Sequence, residues 1–118
     1  MTPSVVNLTA HEVRVIVDDA TDVCFLPSGR VARLREEVTA LPSLSLGDGL
    51  VPLTRVRYES TVEELPDPQP DVIYLVSRVL AAAVGRPDLV FPSEEVRDAA
   101  GRIVGCRSLG TFAGGVDA

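Results

Sequence analysis

Lysine and tryptophan are absent from this 118-residue chain, asparagine and histidine occur once each, as Asn7 and His11, and cysteine occurs twice. Each scarcity excludes something. With no lysine, eleven arginines stand against seventeen carboxylates, for a formal net charge of −6. A surface of that balance is repelled by phosphate backbones, which excludes general nucleic-acid binding. A local arginine cluster can still hold a small anion. Cys24 and Cys106 form no Cys-x-x-Cys pair, and one histidine does not complete a zinc set with them, so two half-buried thiols in a reducing cytoplasm are expected. Asp18, Asp19 and Asp22 lack the glycine spacing of a calcium loop. No phosphate-binding loop, nucleophile elbow or zinc helix occurs, and Ser28 in Pro27-Ser28-Gly29 is a turn residue. No metal, cofactor or catalytic residue is therefore assigned. No segment approaches the ~20 apolar residues of a membrane helix. The opening MTPSVVNL lacks the basic start and apolar run of a signal peptide. A soluble cytoplasmic protein without a membrane partner is expected.

What is present is aliphatic. Apolar residues make up 46% of the chain and aromatics only 4%. A core built from valine and leucine favours strands, where stiff branched side chains pack on a pleated surface. The length suits one domain over residues 1–118, with a flexible tail at 113–118.

The pattern along the chain predicts strands joined by marked turns. Residues 4–17 read as one strand, or as two separated by a kink, with Val13, Val15 and Val17 alternating with Glu12, Arg14 and Ile16. Residues 23–26 form the return strand of a hairpin, and 31–38 a further strand, with a short helix as the competing reading. Residues 41–50, rich in Pro, Ser and Gly, read as a loop or loose hairpin, and 51–58 as a strand. Three prolines force 65–70 to run extended over the surface. The apolar run 72–76 reads as a buried central strand. Ser77 before Arg78–Val84 and Gly85 after it are the start and stop signals of a helix. A short strand at 89–91 precedes Pro92. A hairpin follows, with arms at 95–97 and 102–104 around residues 98–101, its second arm continuing towards 109. This order predicts an α+β fold, a mainly antiparallel sheet of short strands with one principal helix packed on it.

Several blocks together resemble a family of small uncharacterised bacteriophage, prophage and actinobacterial proteins. Its Asn-Leu-Thr-Pro-His opening is similar to Asn7-Leu8-Thr9-Ala10-His11. Its Pro-Ser-Gly turn and Ala-Arg pair resemble Pro27-Ser28-Gly29 and Ala32-Arg33. Its Tyr-Ile-Val-Ser block resembles Tyr74-Leu75-Val76-Ser77, and its closing hairpin resembles residues 96–107. Ala10 stands where that family has Pro, and Asp71 where Gly is common. The resemblance implies a phage or prophage origin, with the host cytoplasm as location, and no particular chemistry.

Three groups are candidate sites. Asn7, Thr9 and His11 lie in one alternating row and are either ligand contacts or scaffolding for a bend. Ser77 and Arg78 sit at a helix start, where unpaired N–H groups attract anions. Arg97, Arg102 and Arg107 lie on the last hairpin and suit phosphate through forked donors, or are neutralised by Glu94, Glu95 and Asp98. Taken together, these eight residues predict a non-catalytic binding protein for a small anionic, nucleotide-like ligand. Two alternatives stand beside it. One is a structural or protein-interaction accessory protein forming a homo-oligomer. The other is a nucleotide-acting hydrolase or lyase using His11.

Overall fold

The computed structural model describes residues 2–112. Alternation holds through the first half of β2 (Val13–Asp18), where Val13 and Val15 are buried and Arg14 is exposed, but Val17 at its end is 55% exposed. β3 (Thr21–Phe25) returns antiparallel beside it. β1 (Ser4–Asn7) is a separate strand, so the second of the two readings of 4–17 holds. β1 pairs not with β2 but in parallel with β6 (Val72–Leu75).

β6 leads into α1 (Arg78–Val84), which crosses over to β7 (Leu89–Arg97), again parallel to β6. Parallel neighbours need such a crossover, and the helix supplies it. β7 and β8 (Ile103–Gly110) form the closing hairpin. β7 runs straight through Pro92, past the end expected for a short strand. β8 then lies parallel to β2. The sheet order is β1-β6-β7-β8-β2-β3, and it curls into a half-barrel. A bridge between Asn7 and Pro27 ties its outer strands at one end.

These pairings correct the expected fold class. The protein is mostly β, with 57% strand and 6% helix among the described residues, and its main sheet is mixed. It is not an α+β protein with a principal helix on an antiparallel sheet. The physical reason is long-range. Antiparallel pairing of successive strands is the shortest connection, but here β1 finds β6 and β2 finds β8 across large sequence separations.

The helix itself matches its signals. Ser77 Oγ accepts from the Leu80 amide at 3.2 Å, and Gly85 closes the helix in the left-handed region at φ 70°. Only Leu80 and Ala81 of its seven residues are buried. They join Leu8, Tyr74, Val76, Leu89 and Phe91 in a cluster on one side of the sheet. Val13, Val15, Leu75 and Cys106 form a second cluster inside the curl. Cys106 is buried and Cys24 exposed, so the two thiols are not alike. Asp71, at the start of β6, has φ 58°. Gly adopts that conformation freely and Asp tolerates it better than most residues.

The largest departure from expectation is β4 (Arg33–Ser45) with β5 (Leu50–Glu63). Of the two readings of residues 41–50, loop or loose hairpin, the second holds, because they form the end of a two-stranded ribbon that pairs only with itself. With 13 and 14 residues, its strands reach roughly 45 Å at ~3.4 Å per residue. The base is anchored where Leu34, Val62 and Leu65 pack on the helix-side cluster. Beyond it the ribbon stands away from the body. The radius of gyration is 17.8 Å, against about 13.5 Å for a compact domain of this length. We call β4–β5 the arm. Among the described residues, no helix is long and apolar enough to cross a membrane.

Candidate functional site

Asn7 is the one buried polar side chain among the described core residues, 2% exposed. Its carboxamide nitrogen donates to the carbonyls of His11 at 2.9 Å and Phe25 at 2.8 Å. Its oxygen accepts from the Thr9 amide at 2.9 Å and lies 2.7 Å from Thr9 Oγ1. The carboxamide thus holds the loop between β1 and β2 and joins it to the end of β3. His11 takes part through its backbone carbonyl, and its side chain is exposed.

The other expected residues are each engaged or placed separately. Ser77 caps the helix. The Arg78 guanidinium lies 5.3 Å from the centre of the Phe91 ring and 5.5 Å from that of Phe112, and those rings stack at 4.7 Å. Arg97 donates to Glu95 Oε2 at 3.1 Å and to the Gly101 carbonyl at 2.8 Å. Arg102 gives its backbone amide to Asp98 at 3.0 Å, and its side chain, like that of Arg107, is exposed.

Several clefts mark the surface of the described residues, and four of them are well formed. A cleft of about 340 Å³ lies between the arm base and the helix start, and it brings Thr9 and Ser77 together with Glu36, Tyr58 and Val79. A groove of about 410 Å³ runs between β2, β7 and β8, with Pro92, Ile103 and Val104 beside Glu12 and Glu95. One end of the half-barrel opens into a cavity of about 590 Å³, lined mainly by apolar residues such as Pro3, Ile73 and Val90. A last cleft, about 390 Å³, lies by Ser28, Arg30 and Tyr74. None of the four is lined by Asn7, His11, Arg78, Arg97, Arg102 or Arg107. Of the eight expected residues, Thr9 and Ser77 are the two that these clefts bring together. Among the described residues, no group of three His, Cys, Asp or Glu side chains is placed to hold a metal ion.

Two features escaped the reading of the sequence. One is Arg86. It holds Asp88 at 2.9 and 2.5 Å, donates to the Pro66 carbonyl at 2.9 Å, and lies 5.9 Å from the centre of the Tyr74 ring. The bond to Asp88 raises its pKa further above the ordinary arginine value. It clamps the proline-rich segment 65–70 to the body.

The other is the arm. Directly paired residues share a face, so Val38 with Val56 and Glu36 with Tyr58 lie on one side. Glu37 with Arg57, Thr39 with Arg55, and Leu41 with Leu53 lie on the other. Both sides face solvent. Val38, Leu46, Leu50, Val56 and Tyr58 are each about half exposed or more, and Leu50 reaches 72%. Gly47-Asp48-Gly49 suits the hairpin reading of this stretch, but Pro42 and two serines suit a loop as well, so the expected strands 31–38 and 51–58 stopped short of the full ribbon.

Comparison with family models, curated proteins and solved structures gives no match.

Proposed function

We propose that this chain is a non-catalytic docking protein whose β4–β5 arm carries the interface to another protein. The observation behind the reading is the arm itself, a ribbon with apolar side chains exposed on both faces and no second layer from its own body. An isolated two-stranded ribbon is marginal in water, because it buries neither face. Monomeric proteins seldom leave such apolar surface uncovered unless something else covers it. The resemblance to phage and prophage proteins suits an accessory component of an assembly.

The small-anion reading has less behind it. Arg97 is engaged with Glu95, Arg78 lies over two aromatic rings, and the cleft shared by Thr9 and Ser77 has Arg33 beside Glu36. A comparison of the intact chain with a variant whose residues 41–53 are replaced by a tight turn tests the proposal. Immobilised intact chain is expected to retain a protein, identified by mass, that the shortened chain does not. Titration calorimetry with mono-, di- and cyclic nucleotides is expected to show no heat. Micromolar nucleotide binding that persists without the arm would overturn the reading.

A further inference from the structure

The arm is not one continuous ladder. At its root Arg33 pairs with Glu63 and Leu34 with Val62, and the next pair outward is Glu36 with Tyr58. One residue of β4 thus stands against three of β5. Extra residues interrupt a ladder and bend the strand that holds them. The root below this joint is fixed. Leu34, Val62 and Leu65 pack on the helix-side cluster, the Ala32 amide donates to the Leu8 carbonyl at 2.9 Å, and Arg86 holds Pro66. Side chains two apart on a strand share a face, so Leu34, Glu36 and Val38 look the same way. The face that packs on the body at Leu34 therefore continues up the arm as Tyr58, Val38 and Val56, each about half exposed. Across the cleft of about 340 Å³ stands α1. Its Val79 lines the cleft and is 48% exposed, and Ala82 and Ala83, on the same side of the helix, are exposed as well. A helix apolar on nearly every side is normally covered on nearly every side. The charged residues lining the cleft are Arg33 and Glu36, opposite in sign, so no net charge holds its walls apart.

We propose that the arm folds back at the joint between Leu34 and Glu36, so that Tyr58, Val38 and Val56 seat on Val79, Ala82 and Ala83 of α1 in the same molecule. The contact extends an interface that Leu34 and Val62 already make with the body. It removes from water two apolar surfaces that face each other across one cleft, and that burial drives it. The closed arm is an autoinhibitory contact. It withholds one face, while the opposite face, with Leu41 and Leu53, stays free. That the withheld face is a docking face rests on the reading above, but the closure itself does not.

Disulfide trapping in the full-length chain tests the closure. Exposed Cys24 is first removed as Cys24→Ser, and Cys106 stays buried. Val38→Cys is then combined with Val79→Cys, and Thr39→Cys with Val79→Cys serves as the control from the opposite face. A disulfide needs Cα atoms about 4–7 Å apart, and Val38 lies beyond the lining of the open cleft. Oxidation is run at sub-micromolar concentration, and cross-linked single chains are separated by mass from cross-linked pairs. The intramolecular bond from position 38 is expected to form about tenfold or more faster than that from position 39, because successive side chains point to opposite faces. Tyr58→Ser, at an exposed position, is expected to slow it several-fold. Equal rates from the two faces overturn the closure. So does the absence of an intramolecular bond from position 38, or a rate that Tyr58→Ser leaves unchanged. A chain that closes but retains no protein through its arm keeps the closure and loses the docking reading. A chain that does not close but retains one keeps the docking reading and loses the closure.

Discussion

The carboxamide of Asn7 reaches across to the carbonyl of Phe25 at 2.8 Å, joining the last residue of β1 to the last residue of β3. These strands are the two ends of the sheet order, and the bond closes the curl where backbone pairing nearly stops. Asn7→Leu would remove two donated bonds and the acceptor of the Thr9 amide, leaving that amide and the Phe25 carbonyl without this partner while Thr9 Oγ1 still reaches the His11 carbonyl, a loss of about 2–4 kcal/mol. Urea unfolding should show it as a lower midpoint. His11→Ala keeps the backbone carbonyl that Asn7 uses and should stay within about 0.5 kcal/mol of the native chain. A large effect at His11 and a small one at Asn7 would contradict this account.

Arg86 and Asp88 form a two-bond pair with side chains 21% and 15% exposed. Because Arg86 also holds Pro66, its loss frees a segment as well as a charge. Arg86→Met should cost about 2–4 kcal/mol, since Asp88 is left partly buried without its partner. It should also open residues 64–70 to proteases before the rest of the chain. Arg86→Lys should fall between, because an ammonium cannot reproduce the forked contact. Equal protease resistance in all three proteins would remove the clamp.

Gly105 lies under β2. A Cβ there would sit 2.8 Å from the Arg14 carbonyl and 3.1 Å from the end of the Ile16 side chain. Ile16 can shift, but the Arg14 carbonyl belongs to the backbone of β2. Gly105→Ala should therefore push β8 from β2 and cost about 1–3 kcal/mol, read as a drop in melting temperature. An alanine that leaves the melting temperature unchanged would show that the two strands have slack.

The cysteines should differ in reactivity. Cys24 is exposed, but the hydrogen bond with Glu12 and the nearby negative charge push its thiol above the ordinary cysteine value. The thiolate is the reactive form, so alkylation of Cys24 should rise at a higher pH than for a free thiol. Glu12→Gln should move that profile to lower pH. Cys106 should remain unlabelled until the chain unfolds, because it is 2% exposed. Labelling of Cys106 at the rate of Cys24 in the folded protein would contradict the burial.

Much of the local structure was legible. Ser77 and Gly85 bracket the helix because the cap needs an acceptor and the exit needs φ > 0, and both needs are local. The alternation Val13, Arg14, Val15 names its buried side without reference to any other strand. The 98–101 turn is read from Asp98 and Gly101, whose backbone bonds close it. The expected tail at 113–118 lies outside the described residues. The sites were less legible. Asn7, Thr9 and His11 stand out by rarity, and rarity does not distinguish a ligand contact from a loop anchor. Arg86 gave no sign, because its three partners come from residues 66, 74 and 88.

Composition and local pattern set the materials: aliphatic strands, one short capped helix, an acidic balance without lysine, and turns where Gly and Asp allow them. These follow from nearest neighbours, where side-chain branching, caps and φ preferences act. Long-range packing is what puts β1 beside β6 and β2 beside β8, curls the sheet, and sends residues 33–63 out from the body as an arm. Strand pairing depends on which apolar faces meet across tens of residues, and period-two alternation carries no information about that partner.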